Sequence, residues 1–274
     1  GYPILRMLMF GKPGAGKGTL SAKLVSKYEI TSLSAGDLVR GHINEGTKIG
    51  QEAAALVAQG RLLPDNLMLE VVTSRLESLT NKHWILDGFP RTLGQARMLD
   101  AQLKRQGTPL SLVINLDVAA EIILSRIDNR WVHLPSGRVY NLSYNRPKVE
   151  GLDDVTGEPL SKRPDDNPEV FAKRLEHFYA LTFPLLEYYS AQSSTPSPQG
   201  LPSDHLNPHH RHLHPHQLSF PERDRELKMH TLQGKTSDEI WPLLDDVVSS
   251  RFPGLKKRKA EKGRLYEIVP TEKS

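Results

Sequence analysis

Gly11-Lys12-Pro13-Gly14-Ala15-Gly16-Lys17-Gly18-Thr19 is the stretch whose reading decides the fold. An apolar run, Ile4 to Phe10, precedes it, and an amphipathic segment, Leu20 to Tyr28, follows. Strand, glycine-rich turn, lysine and helix in that order make a phosphate cradle. Glycines let successive backbone N–H groups turn inward without Cβ clashes. The helix N-terminus beneath adds unpaired donors and roughly half a unit of positive charge. Lys17 then reaches the outer phosphates as a point charge, and Thr19 offers a hydroxyl toward Mg²⁺ or a phosphate oxygen. The plain alternative is a glycine-rich turn with a chance lysine, and the flanking strand and helix argue against it. In one respect the loop departs from the simplest pattern, because Gly18 separates Lys17 from the hydroxyl residue.

Working outward, the 274 residues suffice for one large domain with excursions, and 38% hydrophobic with 25% charged residues suits a soluble globular protein. No apolar run is long enough to span a membrane, so no membrane partner is expected. The absence of cysteine excludes disulfides, a thiolate nucleophile and a cysteine zinc site. A net charge of +4 suits an anionic partner. A nucleotide meets that description as well as a nucleic acid does, and no nucleic-acid-binding motif is present, so no nucleic-acid partner is expected. The first strand begins almost at residue 1, and no targeting segment is expected.

Further along, Ile30–Leu33 reads as a second strand ending at Ser34-Ala35-Gly36-Asp37, and Leu38–Gly60 as helical, punctuated by Gly41, Gly46 and Gly50. A turn at Arg61–Asp65 leads to a helix over Asn66–Leu79. His83–Asp87 is another buried strand, followed directly by Gly88-Phe89-Pro90-Arg91. A helix over Thr92–Gln106 and a strand over Leu112–Leu116 follow. Strands alternating with helices at this spacing predict a doubly wound parallel sheet. Sites in such sheets lie beyond the carboxyl ends of the strands, where Gly11–Thr19, Asp37 and Asp87–Arg91 all fall.

Asp87 has two readings: a cap for the next turn, or the second acid of a phosphate site, holding Mg²⁺ through water. After a helix over Ala119–Asn129, Trp131–His133 and Arg138–Tyr140 alternate like hairpin strands, and the polar stretch to Arg163 is too poor in apolar residues for its own core. It reads as a lid. Helix returns from Pro168 through Tyr189. Arg40, Arg91, Arg126, Arg130, Arg163 and Arg174 are, one by one, ordinary solvated charges. Together they match the needs of phosphoryl transfer, in which charge spreads over the oxygens of the moving group and guanidinium forks on a closing lid neutralise it.

These stretches together resemble the adenylate kinases, a nucleoside monophosphate kinase family. The matching pieces are Gly11–Thr19, Ser34–Asp37 with Arg40, Gly88–Arg91 with Gln95, and Arg126–Arg174; the resemblance covers 4–189 and resumes around Leu232–Leu244. Arg130-Trp131-Val132-His133 and Glu239-Ile240-Trp241-Pro242 are similar to the mitochondrial-matrix GTP:AMP phosphotransferase branch. The resemblance implies an α/β fold of P-loop nucleoside triphosphate hydrolase type: a parallel five-stranded sheet with helices on both faces, a helical AMP-binding excursion and a small β-rich lid. It divides the chain into a discontinuous core (1–33, 64–130 and 168–250), an NMP-binding excursion (34–63) and a lid (131–167).

What the resemblance implies for the site is a division of labour. Gly14, Ala15, Gly16, Lys17, Gly18 and Thr19 hold the donor triphosphate. Arg126, Val139 and Tyr140 cover the donor from the lid, and Thr236 contacts its base through the backbone. Ala35, Arg40, Arg61, Leu62, Leu63, Gly88, Phe89, Pro90, Arg91 and Gln95 bind AMP, joined by Arg163 and Arg174. Lys17, Arg91, Arg130, Arg163 and Arg174 serve the transfer, and Asp87 holds Mg²⁺ through water. Ala35 stands where relatives carry a hydroxyl residue. The implied reaction is γ-phosphoryl transfer from Mg-NTP to AMP by a monomer of the mitochondrial matrix, serving adenine and guanine nucleotide homeostasis. GTP is the preferred donor, with ITP and ATP as alternatives. The cysteine ligands of bacterial zinc lids are matched by His133, Ser136, Asp153 and Thr156, a polar set suited to hydrogen bonds across the hairpin arms, and no zinc site is expected.

Residues 190–226 break the pattern. Polar and Pro-rich, they hold six of the eleven histidines between His205 and His216 and read as a disordered insertion before a last strand near Leu227–Leu232. Residues 251–274 read as a basic, solvated tail. Three rivals stand against the kinase. A regulatory GTPase needs an Asn-Lys-x-Asp stretch, and Asn81-Lys82-His83-Trp84 lacks its acid. A short-lid UMP/CMP kinase has no place for the long excursion after Arg130. A nucleotide-binding module without catalysis is hard to square with the lysine and arginines, yet the 190–226 insertion leaves it open, and an ATP:AMP adenylate kinase stays open as well.

Overall fold

The structure, a computed structural model, describes residues 1–59, 61–163, 166–193 and 226–259. Most of the expected insertion, 194–225 with its histidine run, and tail residues 260–274 lie outside the described residues. Among those described, β1 (Arg6–Gly11), β2 (Thr31–Ser34), β3 (Trp84–Asp87), β4 (Leu112–Asp117) and β7 (Lys228–Gln233) form one parallel sheet in the order β2-β3-β1-β4-β7. β5 (Arg130–His133) and β6 (Arg138–Asn141) pair as an antiparallel hairpin within the segment expected as a lid.

The continuous apolar run of β1 follows from burial on both sheet faces. Met7 and Met9 point into a core shared with α1 (Lys17–Lys27) and α9 (Ser237–Arg251), where Leu20, Leu24, Leu244 and Val248 meet them. Leu8 and Phe10 point to the opposite face, among Val72 and Leu76 of α4 (Asp65–Glu77), Leu99 of α5 (Leu93–Arg105) and Tyr189 of α8 (Phe183–Ser193). The period of two along one strand thus divides the core into two layers. α6 (Ala120–Asn129) leads into the lid and α7 (Pro168–His177) out of it, and a π-helical turn, Phe178–Thr182, joins α7 to α8.

Three sequence expectations need correction. The helical stretch expected over Leu38–Gly60, punctuated by three glycines, starts earlier and breaks at one of them only, into α2 (Ala35–Glu45) and α3 (Lys48–Ala58). Gly46 ends α2 at φ +66°, a conformation that favours glycine, and Thr47 caps α3 by accepting a hydrogen bond from Gly50 N at 3.0 Å. Second, the pattern break placed at 190 comes later, since α8 runs to Ser193. Third, the basic tail expected over 251–274 is not solvated throughout. Arg251 ends α9, and the segment beyond docks on the core: Glu29 N donates to Lys256 O at 2.8 Å, and Arg258 donates to the carbonyl oxygens of Val25 and Ile30 around the C-terminus of α1. A cation suits that end of a helix, where carbonyls are left over. Lys27 and Tyr28 clamp α9 from the same corner through Asp245, at 2.6 and 2.7 Å.

α2 and α3 cross so closely that a Cβ on Gly50 would lie 1.9 Å from the backbone oxygen of His42. Gly50→Ala therefore forces the pair apart, at a cost of about 2 kcal/mol, read as a lower urea midpoint with an unchanged slope.

Candidate active site

One cleft of about 910 Å³ opens at the carboxyl ends of β1 and β3. The phosphate loop, Gly11–Thr19, forms its floor, and Asp87–Arg91 forms one wall. Gly16, at φ +94°, ends the loop, and no side chain caps α1, so its first N–H groups face the cleft without a competing side-chain oxygen. Lys17 opens the helix, with Nζ 3.0 Å from Asp87 Oδ1. Both side chains are partly exposed, and phosphate oxygens approaching Lys17 meet an ammonium already in place.

Three further cations reach the same cleft: Arg126 (on α6), Arg130 (in β5) and Arg174 (on α7) line it, with Val139 of β6. Arg126 Nη2 is buried and has no hydrogen-bond partner among the described residues, an expensive state that an anionic ligand relieves. Arg130 grips Asp166 with both Nε and Nη2, the Nε bond being 2.9 Å. Its fork is therefore already aligned for a bidentate oxyanion. Asp166, Tyr144, Ser237 and Lys12 also line this cleft, and sequence reasoning did not single them out. The signal for Asp166 was its place in Arg163-Pro164-Asp165-Asp166, an acid beside the arginine cluster.

The structure separates other expected residues from this cleft. Tyr140 does not line it: strand alternation turns Val139 toward the cleft and buries the Tyr140 ring, whose hydroxyl donates to Asp153 Oδ1 at 2.8 Å. Thr236 does not line it either. Its hydroxyl caps α9, accepting from Glu239 N at 3.2 Å, and the next residue, Ser237, faces the cleft.

At the end of β3, Gly88, Phe89, Pro90 and Arg91 line the cleft, with Arg91 Nε donating to Gly88 O at 3.0 Å. Gln95 stands behind them: its Oε1 accepts from Arg91 N at 2.7 Å and its Nε2 donates to Asp65 at 2.9 Å. In this arrangement the amide orients the Arg91 turn. Ala35, Arg40, Arg61, Leu62 and Leu63 belong to the excursion and do not line the cleft; Arg40 is paired with Asp37, and Leu62 is 94% exposed. Arg163 also lies off the lining, its carbonyl accepting from Asp166 N at 2.9 Å.

Among the described residues no group of three or more His, Asp or Glu side chains converges as a metal cage. Asp87 and Thr19, both at the cleft and both oxygen donors, fit Mg²⁺, which keeps several waters and takes one or two protein carboxylates with substrate phosphates.

The lid arms are tied by a buried polar network. Asp153 is its hub: Arg138 donates to both its oxygens at 2.8 and 2.7 Å, and Thr156 donates from N and Oγ1 at 2.8 and 2.9 Å. His133 joins it through Ser136 at 2.6 Å and Glu158 at 2.5 Å. His133, Ser136, Asp153 and Thr156 are thus brought together, with Arg138 and Glu158 added.

A family model described as adenylate kinase matches residues 9–194. The chain belongs to the adenylate kinase family. As in the expectation for that family, its sheet is five-stranded and parallel, with helices on both faces. Among relatives, a Saccharomyces cerevisiae protein named "GTP:AMP phosphotransferase, mitochondrial" is 48% identical over 253 residues, 90% of this chain and 94% of the relative. A Drosophila melanogaster protein of the same name is 36% identical over 249 residues, 91% and 97% of the two chains. A Vanderwaltozyma polyspora protein named "Adenylate kinase" is 45% identical over 187 residues, 68% and 84%. Among the described residues of this adenylate kinase chain, no helix is long and apolar enough to cross a membrane.

The guanidinium of Arg138 holds the Asp153 carboxyl well below the usual carboxylate range, against the opposing effect of burial. A depressed native pKa means that the stabilisation is fully present above the pH at which an unfolded aspartate titrates, and is lost as pH falls toward the native value. The lid of the wild type therefore loosens on acidification below the ordinary aspartate range. Asp153→Asn loosens it at neutral pH and flattens that acid dependence, as read by emission of Trp131 and by proteolysis within 131–167.

Proposed function

We propose that the protein is a nucleoside monophosphate kinase that transfers the γ-phosphoryl group of Mg-NTP to AMP, giving NDP and ADP, with GTP the preferred donor. The observation that carries this reading is one cleft lined by a phosphate loop, the Lys17–Asp87 pair and four arginines: Arg91 after β3, and Arg126, Arg130 and Arg174 on α6, β5 and α7. A hydrolase needs one nucleotide seat and a water. So many cations in one cleft suit two phosphate chains meeting end to end. Relatives named GTP:AMP phosphotransferase support the same acceptor and donor.

In the proposed reaction an oxygen of the AMP phosphate attacks the donor's γ-phosphorus in line. The new P–O bond makes ADP as the bond to the β,γ-bridging oxygen breaks, and the electron pair leaves on the NDP. Asp87, through water, and the Thr19 hydroxyl would hold Mg²⁺, which would supply charge neutralisation at the donor phosphates. Lys17 and the uncapped N–H groups of α1 hold the outer donor phosphates. Arg91 seats the AMP phosphate, while Arg126, Arg130, Arg163 and Arg174 draw around the moving group as the lid closes. Closure also excludes water, so the phosphoryl group goes to AMP rather than to hydrolysis. The excursion carrying Arg40, Arg61, Leu62 and Leu63 closes over AMP from the other side, which gives exposed Leu62 a surface to cover. We assign the protein to the mitochondrial matrix, acting as a monomer in adenine and guanine nucleotide homeostasis.

With AMP fixed and GTP, ITP and ATP compared as donors, ADP forms fastest from GTP. Lys17→Met and Arg91→Ala each lower kcat/KM by about a thousandfold or more without loss of fold. Wild-type rates in either purified variant, or equal rates from all three donors, contradict the corresponding part of the proposal.

A further inference from the structure

The phosphate loop carries a second lysine that the reaction above does not use. Lys12 follows Gly11, at the very end of β1, and its side chain is 14% exposed. Its ammonium does not point at the helix terminus where Lys17 sits. It crosses to β4, donating to Val118 O at 3.1 Å and lying 3.5 Å from Asp117 Oδ1. Asp117 in turn accepts a hydrogen bond from Gln233 Nε2 at 3.1 Å. Gln233 ends β7 and leads into Gly234-Lys235-Thr236, the turn before α9. Three adjacent parallel strands, β1, β4 and β7, are thus tied side chain to side chain at their carboxyl ends.

A second contact reaches the loop from the same turn. Ser237, the first residue of α9, lines the cleft, and a Cβ added to Gly16 would lie 2.4 Å from its Oγ. The serine hydroxyl occupies the space that a side chain at Gly16 would fill, against the residue that precedes Lys17. Its own position is fixed from behind. Thr236 and Glu239 form a reciprocal cap, Glu239 N to Thr236 Oγ1 at 3.2 Å and Lys235 N to Glu239 Oε2 at 2.8 Å. Gly234 packs so tightly on Ile240 that a Cβ there would meet Cγ1 at 2.7 Å.

We propose that Lys12 and Ser237 are positioning residues for the donor nucleotide: they brace the phosphate loop against the β7–α9 turn, so donor affinity depends on the C-terminal part of the chain as well as on the loop. Neither side chain touches the reacting atoms. Lys12 fixes the point where the loop leaves β1, Ser237 fixes the point where it enters α1, and the loop amides between them keep the curvature that phosphate binding needs. The acceptor wall hangs from β3 and α5, on the other side of β1, and has no part in this brace. Its kinetic consequence rests on the phosphotransfer proposal; its binding consequence does not.

The test uses the full chain with Lys12→Met, which keeps the stem and removes the ammonium, and with Ser237→Ala. Calorimetric titration with Mg-GTP reads donor Kd without any turnover. Loss of a hydrogen bond from a charged amine weakens donor binding about tenfold in Lys12→Met, and loss of the Ser237 oxygen packed against Gly16 weakens it by a smaller factor, about threefold, in Ser237→Ala. In the transfer assay KM for GTP rises by the same factors while KM for AMP and kcat stay within twofold, and Lys12→Arg recovers part of the loss. Donor Kd unchanged in both variants overturns the proposal, and so does an AMP KM that rises in step with the donor's, since that marks a general loosening. Should the wild type bind GTP but not phosphorylate AMP, the kinase assignment fails while the calorimetric arm still decides the brace.

Discussion

Cations that bind phosphate repel one another, and the protein must assemble them before any phosphate arrives. The structure meets this constraint by giving the key cations internal counterions. Lys17 sits 3.0 Å from Asp87, and Arg130 is forked onto Asp166. The Lys17–Asp87 contact costs little to exchange, since both side chains are partly exposed and such ion pairs contribute modestly, whereas Asp166 is buried and holds the Arg130 fork firmly. The Lys17–Asp87 pair exists because β1 and β3 are parallel neighbours, so the loop after one and the acid ending the other share an edge. Sheet order places the chemistry.

The same edge explains why the cleft has two dissimilar halves. On one side of β1 lie β3, the Gly88–Arg91 turn and the Gln95–Asp65 support behind it. On the other lie β4, β7 and the turn into α9. The arms of the β5–β6 hairpin are joined through buried Asp153, with Val132, Tyr140 and Leu160 as a small buried apolar set beside it. A hydrogen-bonded polar network suits so small an element, because it adds definition where little hydrophobic surface can be buried.

Much of this was legible in the sequence because it is local. The strand–loop–helix at Gly11–Thr19, the acid closing Trp84–Asp87 and the alternation along the chain each follow from neighbouring residues. Orientation and partnership were less legible. Val139 and Tyr140 were expected to act together, yet adjacent strand residues face opposite ways, and only Val139 reaches the cleft. Thr236 was expected to meet the donor base through its backbone; its hydroxyl caps α9, a role the sequence did not show, and the adjacent Ser237 lines the cleft. The Arg130–Asp166 fork spans 36 residues and Lys12–Asp117 spans 105, separations at which no periodicity speaks. The split of α2 from α3 was hidden for another reason: three glycines read as punctuation, whereas Gly46 reverses the chain and Gly50 lets two helices touch.

The central claim is that the one cleft serves two nucleotides, so that the phosphoryl group passes from donor to AMP and not to water. Phosphorus NMR of the protein with Mg-GTP and AMP reads this directly. The account predicts matched growth of GDP and ADP resonances with no inorganic phosphate. Growth of GDP with inorganic phosphate while AMP persists would contradict it.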